Sequence, residues 1–361
     1  MNAARKTLPR LAAACAIALA AHALPARADI LVGNTQGNSV SRFDARTGAY
    51  LGAFIAAGSG GLTAPDAITF GPDGNLYVSS GTDTGGQILR YDGLTGAFMG
   101  VFAQGGGLDR PYGTAFGPDG NLYVASFRSD QILRYDGRTG AFIDVFARGN
   151  GTSTGLLNGP NDLLFDADGS LYVTTEGSVA DGHGGISFLY DSQVLRYSVA
   201  SGAGTVFAAQ PAPTPHGNGY VSLLGLGFGP DGLIYMTDYA GGIRSYDARG
   251  TLVQTIDTGA LFGSVATSVG DFAFGADGAL YASIFDDNGS GVSNNGVARC
   301  VIPTGVCSAF ITDNTNLARP IGFAMTPPVP EPGTWALLAI GLLGVAGAAR
   351  RHAGRATPPA P

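Results

Sequence analysis

A short motif that begins at phenylalanine recurs along the chain and constrains its fold more than any other feature. It reads Phe-Gly-Pro-Asp-Gly in its clearest copies, and a short run of aliphatic and aromatic residues follows each copy. The copies begin at Phe70, Phe116, Phe165, Phe228 and Phe274, with a worn sixth copy at Phe323. Successive copies are 46 to 63 residues apart, and repetition at such a period is typical of architectures in which each repeat forms one supersecondary unit.

Each repeat predicts four short antiparallel strands, named A to D. Asp-Gly between two apolar runs indicates a tight hairpin, because glycine adopts the positive φ that such turns need. A second hairpin follows, and in the second unit it joins residues 87–92 to residues 97–102 through Gly93–Gly96. Four-stranded units of this length are the blades of β-propellers. The Gly-Pro-Asp-Gly-Asn-Leu-Tyr-Val run at residues 71–78 resembles NHL-type repeats.

The two ends of the repeat region complement each other. The last copy, at residues 321–326, predicts an A strand with no B, C or D strand after it, whereas the chain from Asp29 onward begins with a B strand. Strands from the two ends would complete one blade and leave no open sheet edge. We therefore predict an all-β fold over residues 29–328, a six-bladed β-propeller of four-stranded antiparallel blades.

Two cysteines fit the same register. In several units an aromatic residue on strand C is followed seven residues later by one on strand D, as in Tyr91 and Phe98. In the sixth blade these two positions are Cys300 and Cys307. Facing positions across a hairpin place Cβ atoms ~4.5–5.5 Å apart, so we predict a disulfide there, which secretion would permit. Two free thiols are the alternative.

The N-terminus has the pattern of a secretory signal peptide over residues 1–28. Three basic residues precede an apolar run at residues 11–23, and Ala26-Arg27-Ala28 fits the small-x-small cleavage rule. We expect export by the Sec machinery and a mature start at Asp29. Cys15 offers a lipoprotein alternative, but the apolar run continues beyond it.

The C-terminus, residues 329–361, has three parts in order. Pro330-Glu331-Pro332 precedes an apolar span at residues 335–349, and Arg350-Arg351 follows it. This combination resembles the PEP-CTERM sorting signal of Gram-negative bacteria. The resemblance implies transient insertion of a transmembrane sorting helix in the inner membrane, recognition by an exosortase, and release to the cell surface or extracellular matrix. A plain membrane anchor is the alternative.

The charge of residues 29–328 excludes one class of partner. This stretch holds 13 Arg and no Lys against 25 Asp and one Glu, a net charge of −13. Nucleic-acid binding depends on neutralising phosphates with basic side chains, so we expect no nucleic-acid partner. Such a surface favours solubility, cations or basic partners.

The face that carries the B–C and D–A loops is the predicted functional face, because its loops vary while the A–B and C–D turns are short and repetitive. Both long loops belong to the fourth blade, at residues 176–192 and 208–223. His183 and His216 lie one in each loop, and Glu176 opens the first loop. These three residues are candidates for acid–base chemistry, and solvated loop decoration is the alternative.

The starts of the A strands would line the central channel on this face. Polar residues there, or after B strands, form a predicted ligand-binding face: Asp66, Tyr112, Asn161, Asp162, Asp271 and Asp286. Oxygen-rich sites suit a hard cation, so Ca²⁺ or another divalent ion is the candidate cofactor.

Part of this face resembles known enzyme propellers. Gly159-Pro160-Asn161-Asp162, followed by Asp168-Gly169 and Tyr172, resembles the gluconolactonase and regucalcin propellers. The resemblance implies Asn161 and Asp238 as metal ligands. The first-blade glutamate and the second asparagine of that family are missing. The repeat style also resembles streptogramin (virginiamycin B) lyases, in which a base such as His183 or His216 would act beside a metal.

Two functions follow as hypotheses. The first is a non-catalytic surface or matrix propeller that binds an exopolysaccharide or another surface protein through this face. The alternative is a metal-dependent lyase-like or lactonase-like enzyme that uses Asn161, Asp238 and a loop histidine.

Overall fold

A computed structural model describes most of the repeat region. The described residues are 28–82, 85–149, 157–180, 185–259, 261, 267–286 and 294–327. The chain divides into two compact units, and the repeats occupy Ile30–Thr326. The predicted sorting tail, most of the predicted signal peptide and His183 lie outside the described residues.

The repeats form six four-stranded sheets, as the sequence predicts. Blade 1 comprises β26 (Pro320–Met325), β1 (Asp29–Asn34), β2 (Ser39–Asp44) and β3 (Tyr50–Ile55). Blade 2 comprises β4 (Ile68–Phe70), β5 (Leu76–Thr82), β6 (Gly85–Tyr91) and β7 (Phe98–Gln104). Blade 3 comprises β8 (Pro111–Phe116), β9 (Leu122–Ser126), β10 (Gln131–Tyr135) and β11 (Phe142–Arg148).

Blade 4 comprises β12 (Pro160–Phe165), β13 (Ser170–Thr175), β16 (Val194–Ser198) and β17 (Gly204–Ala208). Blade 5 comprises β18 (Leu223–Phe228), β19 (Ile234–Asp238), β20 (Ile243–Tyr246) and β21 (Leu252–Ile256). Blade 6 comprises β22 (Ser268–Phe274), β23 (Leu280–Phe285), β24 (Gly296–Val301) and β25 (Val306–Thr312). A short 3₁₀ helix spans Ser59–Gly61, and a separate hairpin, β14 (Ser178–Ala180) with β15 (Ile186–Phe188), rises from blade 4.

Closure joins the two ends of the repeats, as predicted. The last strand β26 pairs with β1, and Ile30 faces Met325. In blade 2 the equivalent pair is Leu76 with Phe70. Met325 therefore occupies the place of the motif phenylalanine, and the assignment of the sixth copy to Phe323 is wrong by two residues. Phe323 instead points into the core, where its side chain is 2% exposed.

The recurring Asp and Tyr of the motif hold the A–B turn together. The Tyr77 hydroxyl donates a hydrogen bond to the Asp73 carboxylate at 3.0 Å, and Tyr123 bonds Asp119 at the same distance. The Tyr77 ring also packs edge-on against Phe116 of the next blade, with ring centroids 5.0 Å apart. One side chain thus fixes a turn and an inter-blade contact, which explains why the motif repeats.

The predicted disulfide is confirmed. Cys300 faces Cys307 across β24 and β25, and the two form a disulfide with Cα atoms 4.0 Å apart. The equivalent positions in blade 2 hold Tyr91 and Phe98, with ring centroids 5.5 Å apart. Within the part of the chain that the structure describes, no helix is long and apolar enough to cross a membrane.

Candidate functional site

The six A strands present equivalent residues at one mouth of the central channel. In blades 1 to 4 each of these residues directly follows a proline, which is Pro320, Pro65, Pro111 or Pro160, and strand register gives the equivalent positions in blades 5 and 6. They are Asp66, Tyr112, Asn161, Leu224, Gly270 and Ile321. Three of the six, Asp66, Tyr112 and Asn161, belong to the ligand-binding face that the sequence predicts.

A cavity of about 730 Å³ opens at this mouth. Five of the six equivalent residues line it, and residues from the two long loops of blade 4 line it as well. The loop residues that line it include Phe188, Leu189, Tyr190, Gln210, Tyr220 and Ser222. The bias toward blade 4 agrees with the loop lengths in the sequence, and the volume lies within the range of small-molecule sites.

Glu176 is the centre of a buried polar network in the cavity. The Asn161 amide donates to one carboxylate oxygen at 2.7 Å, and the Ser222 hydroxyl donates to the other at 3.0 Å. Burial raises the pKa of Glu176 to about 7, although these hydrogen bonds and the nearby Arg110 act in the opposite direction. Perturbed carboxyls of this kind in a cleft are frequent at functional sites.

Asp66 lies on the cavity wall near two arginines. The Thr35 hydroxyl donates to its carboxylate at 2.8 Å. Burial raises the pKa of Asp66, and the charges of Arg110 and Arg319 only partly offset this effect. Both arginines line the cavity as well. Neither arginine was predicted from the sequence as a site residue, although each directly precedes a proline at the start of an A strand.

Aromatic side chains form much of the remaining wall. Tyr112 packs on Phe127 with ring centroids 4.6 Å apart. Tyr239 lies under the Arg319 guanidinium, 6.0 Å from its carbon to the ring centroid. At the rim, Leu189 is 66% exposed and Tyr220 is 47% exposed, so both present apolar surface to a ligand at the cavity entrance.

Asp162 and Asp271, expected at the mouth, bind neighbouring blades instead. Asp162 accepts hydrogen bonds from the backbone of Leu163 at 2.8 Å and of Leu226, in the next blade, at 2.7 Å. It packs closely against Gly113 of the preceding blade, where a Cβ would collide with its carboxylate. Asp271 of blade 6 repeats the arrangement. It packs closely against Gly225 of blade 5 and accepts a hydrogen bond from the backbone amide of Phe323 in blade 1.

These two aspartates are unusual acids as well as structural links. Burial raises the pKa of Asp162 to about 7. Burial and the charge of Asp162 raise the pKa of Asp271. Their observed hydrogen bonds run to backbone amides, so the structure assigns them a role in joining A strands.

Asp238, a candidate metal ligand from the family resemblance, is engaged inside blade 5. Its carboxylate accepts from Arg244 at 2.7 Å and from the Ser222 amide at 2.8 Å. Both Asp238 and Arg244 are buried, and Asp238 is not among the residues that line the cavity. Asp238 therefore acts on the cavity indirectly, because it positions Ser222, which bonds Glu176.

Among the other candidates that the structure describes, His216 and Asp286 do not line the cavity. The His216 ring lies 2.8 Å from Asp257, outside the cavity lining, and its side chain is 62% exposed. Asp286 follows β23 and does not line the cavity. Within the described ranges, no group of three or more His, Cys, Asp or Glu side chains is arranged to hold a metal ion.

Comparison with solved structures finds other propellers. One chain of a nidogen–laminin complex has a TM-score of 0.59 at 12% identity, over 84% of this chain and 99% of that chain. An inactive virginiamycin B lyase from Staphylococcus aureus with quinupristin has a TM-score of 0.51 at 16% identity, over 84% and 93%. A protein assigned as a gluconolactonase has a TM-score of 0.50 at 17% identity, over 70% and 78%. At these identities the likeness concerns the fold alone.

Comparison of sequences identifies the C-terminus. A search of curated proteins found no match to the chain. Residues 328–351 match the PEP-CTERM protein-sorting motif. This match confirms the PEP-CTERM sorting signal that the sequence predicts at the C-terminus. The PEP-CTERM motif thus follows a six-bladed propeller in the sequence. The motif indicates an exported protein that an exosortase sorts in a Gram-negative bacterium.

Proposed function

We propose that this propeller is a non-catalytic binding protein of the cell surface or extracellular matrix, and that its ligand is a saccharide unit of an exopolysaccharide. The observation that carries the proposal is the cavity at the channel mouth, which is lined both by aromatic side chains and by hydrogen-bonded polar groups. Export to the outside of the cell, where such polymers occur, is consistent with it.

The composition of the cavity suits a sugar. A sugar ring has apolar faces of C–H groups, which pack on aromatic rings such as the exposed Phe188 and Tyr220 of the cavity lining. Its edges carry hydroxyl groups, which both donate and accept hydrogen bonds. The Glu176–Asn161 pair and Gln210 line the cavity and carry donor and acceptor groups. Apolar walls with a few placed polar groups are the usual design of ligand sites.

Binding to a glycan array, followed by calorimetric titration with the best glycan, tests the proposal. Leu189→Ala and Tyr220→Ala should each weaken binding about fivefold to tenfold, which is about 1–1.4 kcal/mol, because each removes apolar surface at the entrance. Leu94→Ala is the matched control, since Leu94 is 76% exposed in a C–D turn on the opposite face. A protein that binds no glycan on the array would refute the proposed function.

An enzymatic role is the second candidate, because Glu176 combines burial in the cavity with a pKa near neutrality. Such a group could transfer a proton in a lyase or lactonase reaction. Turnover of lactones or streptogramins by the purified protein, lost in Glu176→Gln, would support this candidate. Loss of turnover in the presence of a chelator would indicate that the reaction requires a metal ion. Binding of intact glycans without turnover would favour the binding role.

A further inference from the structure

Most arginines in the strands follow the repeat and serve the blades. Five of them occupy the same place on strand C, directly before the aromatic residue or cysteine: Arg42, Arg90, Arg134, Arg196 and Arg299. Arg134 bonds Asp144 at 2.6 Å and Arg299 bonds Asp277 at 2.6 Å, within their own blades. Arg110 and Arg319 depart from this pattern, so the repeat does not explain them.

Arg110 and Arg319 occupy equivalent places in blades 3 and 1, just before Pro111 and Pro320. Both adopt a left-handed backbone, with φ of 49° and 51°, and Ala64 and Gly159 at the same place in blades 2 and 4 do so too, with φ of 45° and 58°. This backbone conformation therefore belongs to the repeat. The side chain is what distinguishes blades 3 and 1, because arginine stands there in place of alanine or glycine.

Aromatic rings fix both guanidinium groups at the cavity wall. The Arg110 guanidinium carbon lies 5.5 Å from the Tyr112 ring centroid. That of Arg319 lies 5.5 Å from the Phe285 centroid and stacks on Tyr239 as well. Arg319 also donates a hydrogen bond to the Tyr239 hydroxyl at 3.4 Å. The edge of a guanidinium carries its N–H groups in the fork that matches a carboxylate. Both residues line the same cavity, and the charges of both lower the pKa of Asp66.

The cavity is the place where an acidic polymer could approach this acidic protein. The net charge of −13 over residues 29–328 would repel a polyanion from most of the surface. In the cavity, burial favours the neutral forms of Asp66 and Glu176, as their raised pKa values indicate. Arginine keeps its charge under the same conditions.

We propose that Arg110 and Arg319 together bind the carboxylate of an acidic sugar, so that the ligand of this cavity is a uronate-containing polysaccharide. This inference rests on the proposed saccharide-binding function and narrows it to one ligand class. The carboxylate would lie between the two guanidinium edges, and the sugar ring would extend toward the aromatic wall.

Titration of the purified protein with galacturonate, glucuronate and mannuronate, each against its methyl ester, tests the inference. The ester keeps the ring and its hydroxyls but removes the charge. At least one acid should bind ten times more tightly than its ester, and this preference should vanish in Arg110→Gln and Arg319→Gln. Arg138→Gln is the matched control, because it removes one charge from an exposed turn of blade 3 on the opposite face.

Two results would overturn the inference. One is that every ester binds as tightly as its acid. The other is that Arg110→Gln and Arg319→Gln bind the acids as tightly as the Arg138→Gln control does. In either case, binding of neutral glycans that still depends on Tyr220 would leave the saccharide-binding function standing. Absence of all glycan binding on the array would refute that function itself.

Discussion

Glu176 links the cavity to the pH dependence of stability. Its pKa in the folded protein is about 7, above the ordinary value of 4.5, because burial disfavours the charged form. Its neutral form therefore favours folding, and this contribution is present below pH ~4.5 and is lost as pH rises through ~7. Asp162, whose pKa is also about 7, acts in the same direction.

We therefore expect the free energy of unfolding to be larger at pH 5 than at pH 8. Glu176→Gln should reduce this difference, because a glutamine can keep partners in Asn161 and Ser222 without ionising. Urea unfolding at the two pH values measures both effects. An equal difference in the variant and the original protein would mean that Glu176 ionises freely in the fold.

The Cys300–Cys307 disulfide should make a modest contribution to stability. It closes a hairpin with a sequence separation of 7 residues, and the loop-entropy relation gives about 2 kcal/mol for so short a loop. Replacement of both cysteines with alanine should lower the free energy of unfolding by about this amount. A reducing agent should destabilise the original protein equally and leave the double variant unchanged. Two titratable thiols in the native protein would contradict the pairing.

At the residue scale, the repeat supplied a reference for choosing positions at the channel mouth. Asp66, Tyr112 and Asn161 could be chosen because equivalent positions on A strands must meet at the channel, and all three line the cavity, whereas their role in binding stays a prediction. Arg110 and Arg319 were missed, although Arg-Pro at two A-strand starts was a visible signal. The roles of Asp162 and Asp238 depend on backbone amides and on a buried Arg244. Leu226 lies 64 residues from Asp162, and Arg244 reaches Asp238 across the hairpin of β19 and β20, so both contacts depend on the folded strands and could not be assigned from composition alone.

Among the elements, the β14–β15 hairpin is an addition to blade 4 and not part of its sheet. The blade 4 sheet runs β12-β13-β16-β17 without it, whereas Ile186 and Phe188 of the hairpin line the cavity. Replacement of residues 179–188 with Gly-Gly should therefore weaken glycan binding more than tenfold. The free energy of unfolding should change by less than about 0.5 kcal/mol, as for a surface substitution.

Calorimetric titration and urea unfolding of the same shortened protein separate the two roles of the hairpin. Unchanged affinity would show that the hairpin does not belong to the site. A large loss of stability would show that blade 4 needs it for folding.

The outer D strands show what the repeat could predict only in outline. The repeat predicted that each blade has a D strand. It did not predict how each D strand pairs with strand C, because that pairing contains local register shifts. Register shifts interrupt the C–D pairing at Arg42/Phe43 and at Arg90/Tyr91, and Gly52 and Gly100 adopt positive φ beside these shifts. Bulges of this kind bend an edge strand and hinder pairing with another sheet. A period-two pattern of side chains does not reveal where such a bulge occurs.

For the whole molecule, the repeat count and the unmatched strands at the two ends were sufficient to predict six blades and their closure. The phenylalanine of the motif misplaced the closing strand by two residues, because Met325 replaces it in the last copy. The proline at the start of the A strand marks the correct register, since Pro320 precedes Met325 by five residues as Pro65 precedes Phe70. A degenerate last copy is thus better placed by two marks of the repeat than by one, and its pairing with Ile30 agrees.

Closure by β26 also predicts where the chain can be cut without loss of the propeller. The repeats end at Thr326, and β26 supplies the inner strand of blade 1, with Phe323 buried among Ile30, Val32 and Tyr281. A chain that ends at Pro328 retains this strand, so its unfolding midpoint should equal that of the full chain. A chain that ends at Ala318 lacks it, which leaves β1 with an unpaired edge and exposes apolar core.

Urea unfolding of the two shortened chains should therefore differ sharply. The longer one should unfold cooperatively, and the shorter one should lose cooperativity or fail to fold. Limited proteolysis provides a second readout, because an unpaired blade 1 should be cleaved first. If the chain ending at Pro328 also failed to fold, residues beyond it would be part of the folding unit. The sorting tail could then not be removed after export without loss of the propeller, and export and folding would be coupled.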